Sequence, residues 1–226
     1  MRRLKRFGLL RLLAQTRRHP SALLLLVQLA GMLLYPFIEH TDAGRIGFGV
    51  FGIAVLFVTT RMVRATPGLN WVAVVIALPA VVLLGLQAVF DMPQLLAWSS
   101  GLEALFYFYA AGSLIAYMLG DLHATTDELF AAGATFTLLA WGFTYLFLLT
   151  QALQPGSFAA AVNAGADRSW TELMYLSFAL LSSTGIGDVI PLTAHARALA
   201  AVEMFVGVIY LAAVVSRLIG LTLLRR

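Results

Sequence analysis

Residues 180–191 read LLSSTGIGDVIP. Two glycines flank a single isoleucine, an aspartate follows, and long apolar runs lie on both sides. Backbone within a bilayer is hydrogen-bonded inside helices, and irregular backbone at that depth is tolerated only where protein buries it or where it lines a watery path. The stretch is therefore either a plain connecting loop or the working part of such a path.

The composition places the chain in a bilayer. Of 226 residues, 61% are hydrophobic and 12% charged, with a mean hydropathy of +0.88. A soluble domain is roughly 25% charged, so the chain reads as an integral membrane protein. It has no cysteine, which excludes disulfides, zinc–thiolate sites and thiol catalysis. The net charge of +4 has a local origin. Arg2, Arg3, Lys5, Arg6, Arg11, Arg17 and Arg18 place seven of the fifteen basic residues in the first eighteen positions, interleaved with leucines. This reads as a basic amphipathic segment, 1–19, at an anionic cytoplasmic surface, with anionic lipid as its partner and no nucleic acid. The apolar run from Ala22 to Ile38 contains no small-x-small cleavage site, so it is expected to be kept as a span.

Six apolar segments follow, near 21–38, 46–63, 70–90, 95–119, 128–151 and 197–224. Each is close to the ~20 residues that cross ~30 Å of hydrocarbon. A seventh, Trp170 to Leu181, is too short to cross and runs into the glycine string, which predicts a re-entrant helix. Six spans place both termini on one side. The basic N-terminus, Arg61, Arg64 and the terminal Arg225–Arg226 pair make that side cytoplasmic. Ser100 with Glu103, Thr125 with Glu128 and Ser169 with Glu172 match the capping-box pattern near apolar starts. That spacing gives the three glutamates a structural role as cap partners. The linker 120–128 is a plausible boundary between a peripheral domain, 20–121, and a C-terminal domain, 122–226.

From residue 128 the order of parts is a span, an outside loop (152–169), a half-length helix, the glycine string, a return outward and a final span. A half-helix starting outside at Ser169 points its C-terminal end at mid-membrane, where the partial negative charge favours a cation. Gly185 and Gly187 permit the positive φ values that turn successive carbonyls to one side. Rings of carbonyls can replace the hydration shell of a monovalent cation. One chain supplies one string, so a ring needs several copies, most naturally four.

The string Ser183-Thr184-Gly185-Ile186-Gly187-Asp188 resembles the T-V-G-Y-G-D signature of the tetrameric P-loop potassium channel superfamily. Both glycines and the aspartate match in place, and Ser183 keeps the hydroxyl of the threonine that joins the innermost ion site. The stretch from Val189 to Leu221 is similar to the segment after the filter and the inner helix of small prokaryotic channels, with Gly207 at the family's gating hinge. The resemblance covers about 128–224. It implies an all-α membrane fold of six transmembrane helices plus a pore helix and selectivity-filter loop, assembled as a homotetramer. It also implies passive potassium conduction through carbonyls of Ser183, Thr184, Gly185 and Ile186, with permeating K+ and no cofactor. Ile186 stands where the family has tyrosine and Thr184 where it has valine. Potassium preference is expected, and non-selective monovalent conduction stays open.

Glu203 lies two turns inside the last span, where a carboxylate is expensive. It is expected to face the back of the pore helix as a hydrogen-bond brace, with a protonatable gating role as the competing reading. Asp188 is expected at the outer mouth, where carboxylates concentrate cations, or else in a structural salt bridge. Arg217 reads as a snorkelling anchor, and His123 and His195 as solvated loop residues. The fourth span holds no basic residue, so a voltage sensor, which moves regularly spaced arginines through the field, is not expected. A transporter would show two broken helices in related positions, and one is visible. An enzyme would need convergent reactive groups at membrane depth, and the first four spans supply almost none. A non-conducting relative of the channels stays open.

Overall fold

In the computed structural model the described residues are 20–37, 55, 57–60, 70–90, 92–120 and 125–224. They form six long or half-length helices and one small sheet. In chain order these are α1 (Pro20–Leu34), α2 (Asn70–Phe90), α3 (Leu96–Leu119), α4 (Thr126–Leu153), β1 (Phe158–Ala160), α5 (Trp170–Leu181), β2 (Val189–Pro191) and α6 (Ala194–Leu224). Among the described residues four stretches are long and apolar enough to cross a membrane: Pro20–Phe37, Leu96–Leu119, Thr126–Leu153 and Ala194–Arg217. Shorter apolar helical stretches run Trp71–Gln87 and Trp170–Leu181. The chain is a mostly helical membrane protein. The segment 1–19, Arg61, Arg64, His123 and most of the span expected at 46–63 lie outside the described residues.

Helix α4 is the hub. Helices α1, α3, α5 and α6 all pack on it, whereas α2 packs mainly on α3. Two contacts fix the direction of α1. Ser21 donates through both its backbone N–H and its hydroxyl to the Asp127 carboxylate, at 3.2 and 2.8 Å, and Gln28 Nε2 donates to the Ala134 carbonyl at 3.5 Å. Both pairs are 106 residues apart, so α1 runs parallel to α4. Asp127 thus supplies an acceptor for the amides at the start of α1, where no helical partner exists, and its negative charge suits that helix end. The short connections make α3 antiparallel to both α2 and α4. At the α2–α3 turn, Gln87 Nε2 donates to Ser99 Oγ at 2.6 Å.

The core between α3, α4 and α5 is aromatic. The Tyr107 ring meets Trp141 edge-on at 5.6 Å and stacks on Tyr145 at 5.5 Å, and Trp141 meets Trp170 edge-on at 5.6 Å. Tyr35, in a 3-10 turn after α1, closes the cluster against Trp170 at 4.9 Å. These rings fix the start of α5 against three helices. They also enclose Glu103, which is 2% exposed and takes a hydrogen bond from Tyr145.

Two expectations need correction. Ser100 and Glu103 do not cap a helix start. Helix α3 begins after a 3-10 turn, Pro93–Leu95, its N-cap Leu95 makes no side-chain cap bond, and both residues lie buried inside the helix. An S-x-x-E spacing inside a helix simply puts two residues on one face. The fold also contains two strands where only helices and loops were expected. Phe158–Ala160 pairs antiparallel with Val189–Pro191 in the register Phe158–Pro191, Ala159–Ile190, Ala160–Val189.

Candidate functional site

The site is built from the start of α5 onward. Ser169 Oγ accepts the Glu172 N–H at 3.3 Å and Glu172 Oε2 accepts the Ser169 N–H at 2.8 Å, a complete capping box. Arg168, 3% exposed, organises the loop in front of it. Its guanidinium donates to the carbonyls of Val162, Asn163 and Ala166 at 3.2, 2.5 and 2.5 Å and pairs with Glu172 Oε1 at 3.0 Å. Its backbone is held on both sides by Gln151, whose Oε1 accepts the Arg168 N–H at 2.8 Å and whose Nε2 donates to the Arg168 carbonyl at 3.0 Å. The planar five-donor fork suits a site with this many acceptors. The chain from α4 to α5 is thereby tied to the last turn of α4.

At the other end of α5 the orphan carbonyls meet the amides of the glycine string. Ser182 N–H donates to Phe178 O and Ser183 N–H to Leu180 O, each at 3.0 Å. Thr184 N–H and Gly185 N–H converge on Ala179 O at 2.9 and 3.1 Å. With these amides turned back onto the helix, the carbonyls of the string are free to point elsewhere. The backbone alternates in hand: φ is +58° at Ser183, +60° at Gly185 and +80° at Gly187, while Thr184 and Ile186 keep negative φ. Alternation of this kind makes successive peptide groups face a common side. A Cβ on Gly185 would meet nothing within 4 Å. The glycine is thus needed for its dihedral and not for space. The β1–β2 ladder then secures the far end: Ala161 N–H donates to Asp188 O at 3.2 Å and Leu192 N–H to Ser157 O at 2.8 Å.

Ser182 to Asp188 are all exposed on the single chain, and Ile186, an apolar side chain, is 60% exposed. The string lies on an open face of the single chain. Asp188 ends it, its Oδ1 accepting the N–H of Val189 at 2.9 Å. Among the described residues no group of three or more His, Cys, Asp or Glu is placed to hold a metal.

Behind the string, one face of α6 carries Ala196, Ala200, Glu203, Gly207 and Tyr210, all buried, at alternating intervals of three and four residues. Glu203, 0% exposed, receives the Ser177 hydroxyl of α5, which also lies 2.7 Å from the Ala140 carbonyl of α4. Three helices meet at one oxygen. One turn along, Gly207 faces the Leu181 carbonyl so closely that a Cβ there would overlap it and would stand 2.7 Å from the carbonyl carbon. Helix α6 runs unbroken through this position. Further down, the Tyr210 hydroxyl donates to Ala132 O at 2.6 Å, and Arg217 lies 3.7 Å from Glu128. His195 is exposed in the first turn of α6, its Nδ1 3.2 Å from Gln154 Nε2.

Sequence reasoning named Ser183 to Asp188, Glu203 and Gly207: the structure places Ser183, Thr184 and Gly185 at the C-terminal end of α5, Glu203 against Ser177 and Gly207 against Leu181, whereas Asp188 lies beside Ala161 and the first half of α5, near Glu172 and Tyr175. It did not name Ser177, Arg168, Gln151 or Tyr210. Ser177 had a signal, since it is a hydroxyl in the apolar run that follows the first turn of the half-helix. Arg168 had none, because a loop arginine usually points to solvent.

No curated protein and no solved structure matches the chain. Residues 133–222 match the family model described as "Ion channel". That stretch holds most of α4, the capped half-helix, the handed glycine string and α6. Over residues 133–222 the chain is thus similar to an ion-channel family.

Proposed function

We propose that the chain is a potassium-preferring cation channel that conducts passively, without catalysis or a resident cofactor, at the centre of a homotetramer. The observation that carries this reading is the alternation of positive φ at Ser183, Gly185 and Gly187 beyond a half-length helix whose end carbonyls hold the string's amides. Four such strips around one axis form successive oxygen rings from Ser183, Thr184, Gly185 and Ile186. The exposure of Ser182 to Asp188 and of Ile186 supports assembly, because an apolar side chain and a polar strip on one face are both satisfied only against further copies. Helix α5 acts as the re-entrant pore helix, Glu203 as a brace through Ser177, and Asp188 as an outer carboxylate ring.

Residues 122–226 form the conducting module and 20–121 the peripheral domain. The six-span topology has indirect support. Helices α1, α2 and α4 run in one direction, so a return crossing is needed between Phe37 and Asn70, where residues 57–60 are helical. We place both termini on the cytoplasmic side of a plasma membrane, on the basic excess at the N-terminus. The basic segment 1–19 would then lie against anionic lipid. Ile186 and Thr184 favour a second reading, non-selective monovalent conduction. A transporter would require a second interrupted helix, and the described residues contain a single interruption at membrane depth.

The test is flux from liposomes holding purified protein and a potassium gradient, with sodium then replacing the external ion. Potassium flux that barium blocks and sodium does not replace supports the selective channel. Equal flux of both ions leaves the pore and removes the selectivity. Absence of either flux from a folded tetramer, across pH and voltage, refutes conduction.

A further inference from the structure

Four carboxylates are buried among the described residues. Asp127 accepts from the start of α1, Glu128 stands 3.7 Å from Arg217, and Glu203 receives the Ser177 hydroxyl. The fourth, Glu103, takes one hydrogen bond, from the Tyr145 hydroxyl, and its Oε1 meets no protein partner. Two further oxygens on the same face of α3 are left alone. Ser100 Oγ, three residues before Glu103, and Tyr107 Oη, four residues after it, also lack a hydrogen-bond partner in the protein, at 1% and 0% exposure. Buried polar groups are satisfied as a rule. Three orphaned oxygens within two turns therefore mark a site and not a packing seam.

Nothing there holds an ionised Glu103. Among the described residues no cationic group faces it. The titratable groups around it are Tyr107 of α3, Tyr145 of α4 and, beyond Tyr145, Tyr35 of the turn after α1. Helix α5 brings Trp170, whose ring lies 6.4 Å from that of Tyr145, and α1 and α2 have no ionisable side chain. A buried carboxylate without a positive partner neutralises by taking up a proton. The proton also turns Oε1 from an acceptor into an O–H donor, and the Ser100 and Tyr107 oxygens on the same face are acceptors. We propose that Glu103 is a proton-binding site at the seam between the peripheral helices and the start of α5, and that it exchanges its proton with the outer solution. Glu103 lies two turns into α3, at the end where α5 also begins, which is the outer side in the orientation proposed above. The rings pass its state onward. A charge on Glu103 strengthens and shortens the bond from Tyr145, Tyr145 lies against Trp170, and Trp170 is the first residue of α5. Control of conduction by external pH rests on the channel reading above, whereas proton binding does not.

Purified protein in liposomes is read by infrared spectroscopy across pH, with Glu103→Gln and Glu203→Gln beside the wild type. The wild type is expected to show the carbonyl stretch of a protonated carboxyl, with a component that Glu103→Gln removes and Glu203→Gln leaves. That component disappears as pH rises, tryptophan fluorescence changes with the same midpoint, and both responses are lost in Glu103→Gln. Tyr145→Phe removes the single donor and moves the midpoint by about one pH unit or more, as a hydrogen bond to a charged group should. Potassium flux from the same liposomes changes across that midpoint in the wild type and is flat in Glu103→Gln. A Glu103 that is ionised at every pH, or protonated at every pH, overturns the proposal. So does a fluorescence titration that survives in Glu103→Gln, or a midpoint unmoved in Tyr145→Phe. A wild-type pH response of flux in Glu103→Gln overturns the link to conduction. Absence of flux from every variant, with the infrared titration intact, refutes the channel reading and upholds the proton site.

Discussion

Replacing Gly207 by alanine separates two accounts of α6. If the glycine serves as a hinge, its value lies in motion, and alanine would leave the resting structure intact. If it serves close approach, alanine must push two helices apart. The structure favours the second. A Cβ at 207 would lie 2.7 Å from the Leu181 carbonyl carbon and 2.9 Å from Leu181 Cα, whereas carbon contacts settle near 3.5–4.0 Å. Helix α6 would retreat by ~1 Å. Overpacking of this kind costs ~1–3 kcal/mol. The same retreat stretches the contact between Ser177 and Glu203 one turn away, which adds the ~0.5–1.5 kcal/mol of a typical hydrogen bond. The sum is about 1.5–4.5 kcal/mol per chain. Thermal unfolding in detergent, followed with size-exclusion chromatography, reads this directly, and Gly220→Ala in the same helix is the control, since a Cβ there meets nothing within 4 Å. Gly207→Ala is expected to unfold well below the wild type while Gly220→Ala does not. A Gly207→Ala protein with wild-type stability and reduced flux would refute the close-approach argument and restore the hinge.

Three further outcomes are expected. Arg168→Met leaves the carbonyls of Val162 and Ala166 without their donor, and that of Asn163 with only the Ala166 N–H, and should cost ~2–4 kcal/mol, with amide exchange across 158–166 accelerated; unchanged protection counts against the clamp. Gly185→Ala meets no steric obstacle but forces a left-handed alanine, at ~1–2 kcal/mol. It should fold and assemble while losing about tenfold or more of its potassium flux, so full flux would remove the handed string from the mechanism. Glu103→Ala opens a gap among Tyr107, Trp141 and Tyr145 and strips Tyr145 of its acceptor, for ~2–4 kcal/mol, whereas the near-isosteric Glu103→Gln should stay within ~1 kcal/mol of the wild type in a thermal melt. Equal losses in the two variants would contradict the packing account.

The parts of this fold that could be read from the sequence are those set by local chemistry. Apolar runs fix helices because a bilayer leaves the backbone no other partner, and the observed bounds Asn70–Phe90, Leu96–Leu119 and Trp170–Leu181 follow those runs closely. Ser169 and Glu172 act where their spacing says, because a helix start really occurs there. The same spacing at Ser100 and Glu103 misled, since nothing local distinguishes a cap from a helix interior. Strands of three residues have too little alternation to register, and Phe158–Ala160 exists only because Val189–Pro191 returns beside it. Glu203 invited suspicion as a buried carboxylate. Its partner Ser177 and the Ala140 carbonyl come from other helices, and only tertiary packing brings them together.

The way the string's amides hang from α5 also dictates an order of assembly. Thr184 and Gly185 share one carbonyl, Ala179 O, and Ser183 depends on Leu180 O, so the string has no template until α5 is helical. Helix α5 has 12 residues, a length at which an isolated helix is marginal. It becomes firm only once α4 and α6 enclose it, at the junction where Ser177 touches both. The string is therefore a late event in folding and an early casualty of partial unfolding: a chain can insert all its spans and still lack the one segment proposed to meet an ion.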